Sequence, residues 1–209
     1  MANVGSSGYY GFKFVKTKDG SPMTGATKTF RAAAARGTGG DITIGTAVTL
    51  SSGTVVPMVG GQDCLGVVIG FSADPVSTQT LPSNLSKFDD PFALTLPTAT
   101  AGTVTVAMAD NSIFTVVAGN TLNTGTRAGV VGSTFDLGNA AADLNALSTH
   151  TIVGGKDQGS IFYQSTSPNN DLRILSYLDD STDYPTITGN VAVGDVFEVQ
   201  FERVVFGQA

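Results

Sequence analysis

The sequence predicts an all-β protein, and three observations support this. The 209 residues include 27 Thr and 22 Val, whose β-branched side chains suit the pleated surface of a sheet. The good helix formers Glu, Lys, Gln and Arg are scarce. Short segments of alternating apolar and polar residues are separated by Gly-rich turns. We expect two small barrel-like or sandwich-like subdomains with an extended N-terminal arm.

Residues 1–40 are expected to form this arm and a loop. Tyr9–Lys16 alternates, so it can pair as a strand with an aromatic face. A turn is predicted at Lys18–Pro22. Lys28–Arg36 is ambiguous, because its alanines favour a helix but the segment is short and continues into the glycines of 37–40.

Residues 41–100 are expected to form the first subdomain. Strands are predicted at Asp41–Leu50, at Thr54–Val59 and at Cys64–Phe71. Tight turns join them, which is typical of a meander, and Pro57 assigns the second strand to a sheet edge. Residues 74–100 are irregular and contain four prolines, which predicts a surface crossover between the subdomains.

Residues 101–209 are expected to form the second subdomain. The predicted strands are Gly102–Met108, Ser112–Ala118, Thr126–Val131, Ser148–Val153, Gly159–Gln164, Asp171–Leu178 and Asp195–Phe206, and Asn139–Leu147 is predicted to be a short helix. In the last strand the alternation places Phe197, Val199, Phe201 and Val205 on one face. Arg203 interrupts this face and Val204 interrupts the opposite one, so the pattern slips near the end of the strand.

The composition excludes many kinds of chemistry. A single cysteine and a single histidine rule out an intrachain disulfide, a cysteine-based metal cage and any site with two imidazoles. A Ser-His-Asp site would need His150, which lies in the strand-like run 148–152, and the chain has no Gly-x-Ser-x-Gly motif. Cys64 opens an apolar strand, where a buried thiol is inert. We therefore predict no catalytic residues, no metal, no cofactor and no enzymatic activity.

Two weaker sites are left open. Asp179–Asp183 resembles the start of a calcium loop, but Tyr184 stands where the loop needs glycine, and no glutamate follows at the twelfth position. An acidic solvent loop is the favoured interpretation, and a weak cation site is the alternative. A hydrolase that uses dispersed carboxylates is also conceivable, since such pairs meet only in the fold.

Charge and hydropathy limit the partners. The net charge of −6 argues against nucleic acid, whose binding requires neutralised phosphates. The sequence contains no apolar run long enough for a membrane helix and no signal peptide, so we expect synthesis in a cytoplasm. Only 13% of residues are charged, against about 25% in an average soluble domain. Such a surface favours contact with other subunits, although an ordinary β-protein with a neutral polar surface is the alternative.

A family resemblance lies in residues 45–73, GTAVTLSSGTVVPMVGGQDCLGVVIGFSA. This succession of strands and Ser/Gly turns resembles the head decoration (cement) proteins of tailed bacteriophages, of the lambda D type. DNSIFTVVAGN (110–120) and DLRILSYLDD (171–180) are similar to segments of other phage virion proteins. The chain is longer than the small decoration proteins.

The resemblance implies a virion structural protein, made in the host cytoplasm, that binds the exterior of the capsid. Its implied partners are the major capsid protein and further copies of itself, in a homo-oligomer such as a trimer. Aromatic residues are the candidate partner contacts: Tyr9, Tyr10, Phe12, Phe14, Phe88 and Phe92. The alternative is that they pack within their own subunit. Alternative functions are a tail or fibre-base subunit and a carbohydrate-binding β-sandwich module.

Overall fold

The structure is a computed structural model, and it describes residues 11–34, 42–58, 61–74, 95–96, 99–117, 122–138, 161–163, 170–178, 189–191 and 195–205. Within these ranges the chain forms fifteen strands and two short 3₁₀ helices, Met23–Ala26 and Ala109–Asn111. The all-β prediction is therefore confirmed.

The strands follow one another along the chain as β1 (Lys13–Thr17), β2 (Thr27–Ala32), β3 (Ile42–Thr43), β4 (Ala47–Ser51), β5 (Thr54–Pro57), β6 (Gly66–Ala73), β7 (Thr95–Leu96), β8 (Gly102–Met108), β9 (Ser112–Val117), β10 (Leu122–Thr126), β11 (Thr134–Gly138), β12 (Ile161–Tyr163), β13 (Leu172–Leu178), β14 (Asn190–Val191) and β15 (Val196–Phe201).

The larger sheet has six strands in the order β1-β9-β15-β13-β11-β12, and all its neighbours are antiparallel. Alternation in β15 turns Phe197, Val199 and Phe201 inward, as the sequence predicts. Phe197 lies opposite Val116 of β9, and Val199 lies opposite Phe114. Directly opposed residues share one face of a sheet, so these side chains form a continuous apolar layer.

The second sheet has five strands in the order β2-β8-β6-β4-β5. It curls until its two edge strands, β2 and β5, approach each other. The described residues form no hydrogen-bonded ladder between these edges, so closure into a barrel is not found. Two short ribbons, β3–β7 and β10–β14, complete the described structure.

Two apolar cores fill this architecture. The inner core lies within the curl of the five-stranded sheet and includes Val48, Val68, Val104 and Val106, with Ile42 and Leu96 contributed by the β3–β7 ribbon. The shared core lies between the two sheets. From the five-stranded sheet it takes Ala47, Val67 and Ala107, which neighbour inner-core residues in sequence and so point the opposite way. Both faces of β4, β6 and β8 are therefore buried over part of their length.

Several element predictions need correction. The structure resolves the ambiguity of Lys28–Arg36 in part: Thr27–Ala32 is a strand, because β8 supplies an antiparallel partner along its whole length. Residues 127–133 are a turn, whereas we expected a strand at 126–131. The three strands of the expected meander exist, and β5 does lie at the edge, but β6 pairs with β4 and not with β5. Pro57 lacks the N–H that continued pairing on its outer side would require.

The two sheets also do not coincide with the arm and the two subdomains that we expected. β1 and β2, from the expected arm, belong to the six-stranded and the five-stranded sheet respectively. β8, assigned to the second subdomain, lies between β2 and β6. The predicted helix at 139–147 and the strand at 148–153 lie outside the described residues.

We predict that Gly66→Ala destabilises the fold, whereas Gly70→Ala in the same strand does not. A Cβ atom on Gly66 would collide with the carbonyl of Ala107 and would stand 2.6 Å from Cγ1 of Val106. No atom lies within 4 Å of a Cβ on Gly70. Overpacking of this kind costs about 1–3 kcal/mol. Urea unfolding monitored by circular dichroism measures it, and equal midpoints for the two variants would contradict this packing.

Candidate functional site

The candidate aromatic contacts that the structure describes lie in the chain's own core. Phe12 is 2% exposed, and its ring centroid lies 5.1 Å from that of Phe201 and 6.3 Å from that of Phe114. Phe14 packs on the other side of Phe114, also at 6.3 Å. In this structure Phe12 and Phe14 therefore pack within their own subunit, which is the alternative given in the sequence analysis. Tyr9, Tyr10, Phe88 and Phe92 lie outside the described residues, as do His150 and 179–183.

β1 is a strand of its own sheet, although we expected its residues to belong to an extended arm. It pairs with β9 of the same chain, with a bulge between Phe14 and Lys16. Lys16 Nζ lies 3.5 Å from Oε2 of Glu198. Partial burial lowers the pKa of Lys13. Lysines and a bulge on an edge strand discourage further strand addition.

Cys64 is fully buried in the shared core, and burial raises the pKa of its thiol well above the ordinary value. The thiol donates a long hydrogen bond to the carbonyl of Gly66, at 3.6 Å. A protonated, solvent-excluded thiol is a poor nucleophile.

Among the described residues, no group of three or more His, Cys, Asp and Glu side chains could hold a metal ion. None of the described helices has the length and apolar character needed to cross a bilayer.

The buried carboxylate of Asp171 is a feature that sequence reasoning missed. Asp171 precedes β13 and is 0% exposed. Its Oδ1 accepts a hydrogen bond from the N–H of Gly61 at 3.0 Å, and its Oδ2 accepts one from the N–H of Leu137 at 3.0 Å. Gly61 belongs to the loop before β6, and Leu137 belongs to β11. One carboxylate thus joins the five-stranded sheet to the six-stranded sheet.

An ion pair between Arg127 and Asp195 holds the start of β15. Arg127 Nε lies 2.8 Å from Oδ2 of Asp195, and its Nη2 lies 3.1 Å from Oδ1, so the contact is bidentate. The guanidinium also lies 5.3 Å from the ring centroid of Tyr177. Both charged side chains are mostly shielded from solvent. This geometry anchors the turn after β10 to the six-stranded sheet.

Other acidic groups are held in surface pairs. The Arg31 guanidinium lowers the pKa of Asp74, with Nη1 at 2.7 Å from Oδ1. The Arg173 guanidinium similarly lowers the pKa of Glu202. Exposed pairs of this kind contribute little stability. They do neutralise charge locally, and this leaves neighbouring surface without net charge.

The outer face of the five-stranded sheet divides into two halves. One half carries Ala47, Val67 and Ala107 and is covered by the shared core. The other half is what we call the hydroxyl face, formed by Thr29, Thr103, Thr105, Gly70 and Ser72. Thr105 lies opposite Thr29 on one side and Gly70 on the other, and Ser72 lies opposite Thr103.

The five residues of the hydroxyl face are uncharged, and their side chains are short and carry hydroxyl groups or none. Arg31, which lies opposite Thr103, is a charged residue on the same side of the sheet. Thr29 and Ser72 are exposed, and Thr103, Thr105 and Gly70 are half-buried. The Arg31–Asp74 pair borders it: Arg31 lies opposite Thr103, and Asp74 directly follows β6. A sheet face of this kind can contact another surface without the cost of burying charges.

No family model matches the chain, and no curated protein and no solved structure is significantly similar to it.

We predict that Asp19 titrates at low pH and contributes stability that acid removes. Its carboxylate accepts hydrogen bonds from the side chain and backbone N–H of Ser21 and from Asn111, which lower its pKa to about 2. Because the folded pKa is depressed, this contribution is complete above the unfolded value near 4 and is lost as the pH falls towards 2. NMR titration of the carboxyl carbon measures the midpoint. Asp19→Asn should flatten the stability profile in that window, and an ordinary midpoint near 4 would refute the assignment.

We predict that Asp171→Ala destabilises the protein far more than Asp110→Ala. The first change leaves the half-buried N–H of Gly61 and the buried N–H of Leu137 without their carboxylate acceptor. A buried donor that loses its partner costs about 1–3 kcal/mol. Asp110 is exposed and serves as the matched control. Chemical denaturation measures both, and a loss at Asp171 no larger than that at Asp110 would show that the junction is unimportant.

Proposed function

We propose that this chain is a non-enzymatic virion structural protein, a decoration protein that binds the exterior of a bacteriophage head and stabilises contacts between major capsid subunits. It acts as a homo-oligomer on the assembled shell. The hydroxyl face is the surface that docks on the capsid.

The hydroxyl face is the observation that supports this proposal most. Its five residues are uncharged on a chain whose net charge is −6, and Arg31 beside them is paired with Asp74. The face lies on the half of the sheet that the shared core leaves uncovered. Interface centres are depleted of charged residues, because each buried charge costs desolvation energy. The curled sheet behind the face is fully packed, so it presents the face as a rigid platform.

The resemblance of residues 45–73 supports the same proposal. This segment forms β4, β5 and β6 and thereby supplies three of the five strands behind the hydroxyl face. The segment at 110–120 contributes β9, and the segment at 171–180 contributes β13.

The roles of the described ionisable groups agree with a structural protein. Asp171 accepts backbone hydrogen bonds, Arg127 holds Asp195, and the Cys64 thiol is buried. Each of these groups stabilises the fold. Weak contacts to two or three neighbouring capsid subunits would then combine into firm attachment, because the later contacts are intramolecular.

The proposal is tested with expanded heads that lack this protein, taken from the phage that encodes it. The purified chain should co-sediment with these heads at a fixed ratio to the capsid protein and should raise their resistance to heat and to low salt. Heads that bind none of the chain, or that withstand both stresses equally well without it, would contradict the function. Binding to isolated tails or to a glycan array would instead indicate one of the alternative roles.

We further expect Thr105→Lys to weaken head binding by about tenfold or more, since burying one unpaired charge costs more than ~1.4 kcal/mol. Thr115→Lys is the matched control, because Thr115 occupies the outer face of β9, in the opposite sheet, with similar exposure. Sedimentation with increasing protein concentration gives both affinities. A loss of binding with Thr115→Lys alone would show that the docking surface lies on the six-stranded sheet instead.

A further inference from the structure

The last described segment of the chain, Glu202–Val205, lies across the junction of the two sheets, and we call it the C-terminal strap. Its backbone makes an isolated parallel bridge with Cys64. The N–H of Cys64 donates to the carbonyl of Arg203 at 2.8 Å, and the N–H of Val205 donates to the carbonyl of Cys64 at 2.9 Å.

The strap contacts both cores and therefore connects both sheets. Val204 packs against the shared core, whereas Val205 packs against the inner core. At the other end of the strap, the N–H of Glu202 donates to the backbone carbonyl of Asp171 at 3.0 Å. The first residue of the strap is thus hydrogen-bonded to Asp171, whose carboxylate accepts the hydrogen bond from Gly61.

The strap is held by few backbone hydrogen bonds. Two of them form the bridge to Cys64, in contrast to the continuous ladders of β6 with β8 and of β13 with β15. Two ion pairs add to them, Arg203 with Asp63 at 3.3 Å and Glu202 with Arg173 at 2.8 Å, and both are partly exposed. Exposed ion pairs add little stability. Segments with few buried contacts are those that open locally while the rest of a fold remains intact.

We infer that the C-terminal strap is a conformational latch, which opens together with residues 61–63 and exposes Cys64 while both sheets remain folded. The strap is hydrogen-bonded to Cys64 itself, and Asp171 holds Gly61, three residues before it. The inference is independent of the proposed function, because it concerns the isolated chain.

The chain's one cysteine reports directly on this opening. The closed latch buries Cys64 completely and raises the pKa of its thiol. A thiol reagent such as 5,5′-dithiobis(2-nitrobenzoic acid) therefore reacts only in the open state. When closing is fast, the labelling rate is proportional to the open population. Its dependence on urea shows how much surface the opening exposes.

The experiment compares the natural chain with two variants that weaken the latch. Val205→Pro removes the N–H that donates to Cys64, and it lies at the end of the described chain, where it leaves both sheet ladders intact. Asp171→Asn removes one carboxylate oxygen as an acceptor. Val131→Ala, at an exposed turn, and Asp110→Asn are the matched controls.

We expect labelling of the natural chain to be almost independent of urea at low concentration and to rise steeply only near global unfolding. Val205→Pro and Asp171→Asn should each raise the urea-independent rate by about tenfold, the equivalent of ~1.4 kcal/mol, and the controls should leave it within about twofold. The latch is refuted if labelling follows the global unfolding line down to zero urea. It is equally refuted if Val205→Pro leaves the rate unchanged in a folded protein.

Discussion

The double burial of the five-stranded sheet is the constraint on which the rest of the structure depends. Val48, Val68 and Val106 fill the inner core, while their sequence neighbours Ala47, Val67 and Ala107 enter the shared core. Small residues on the second face let the six-stranded sheet approach closely, and the aromatic side chains of β9 and β15 then fill the remaining space. The six-stranded sheet covers only part of that face, and the hydroxyl face is the part left uncovered.

The connection between the sheets relies on polar contacts as well as on packing. The carboxylate of Asp171 accepts hydrogen bonds from the N–H groups of Gly61, before β6, and of Leu137, in β11. Its backbone carbonyl accepts a hydrogen bond from Glu202, the first residue of the C-terminal strap. The buried carboxyl group of Asp171 is tolerated here because both of its oxygens accept hydrogen bonds from backbone N–H groups. The arrangement places Asp171 and the Cys64 thiol near the junction of the two sheets. A change in the packing of one sheet can therefore affect the other sheet through this junction.

The sequence was informative where a local pattern decided the structure. Alternation identified the inward residues of β15, and Pro57 identified an edge strand. It was misleading where a long-range partner decided. The alanines near Thr27–Ala32 favour a helix in isolation, but β8 pairs with this segment along its whole length. The slip of the alternating pattern near Arg203 and Val204 also has a long-range cause. The chain leaves β15 after Phe201 and becomes the C-terminal strap, which pairs with Cys64.

The candidate site was less predictable than the fold. Nothing in the run Asn170–Leu172 distinguishes a buried aspartate from a turn residue, because its partners lie far away at Gly61 and Leu137. The hydroxyl face likewise needs the register that pairs Thr29 with Thr105, which no local pattern specifies. The T-x-T spacing in β2 and in β8 was a visible signal, and each strand does place these threonines on one face.

Electron cryomicroscopy of the intact virion tests the central claim most directly. The account predicts density for this chain on the outside of the head, with β2, β8 and β6 turned towards the capsid so that Thr29, Thr103 and Thr105 lie within contact distance of capsid subunits. Density at the tail, or a head whose exterior lacks the chain altogether, would contradict it.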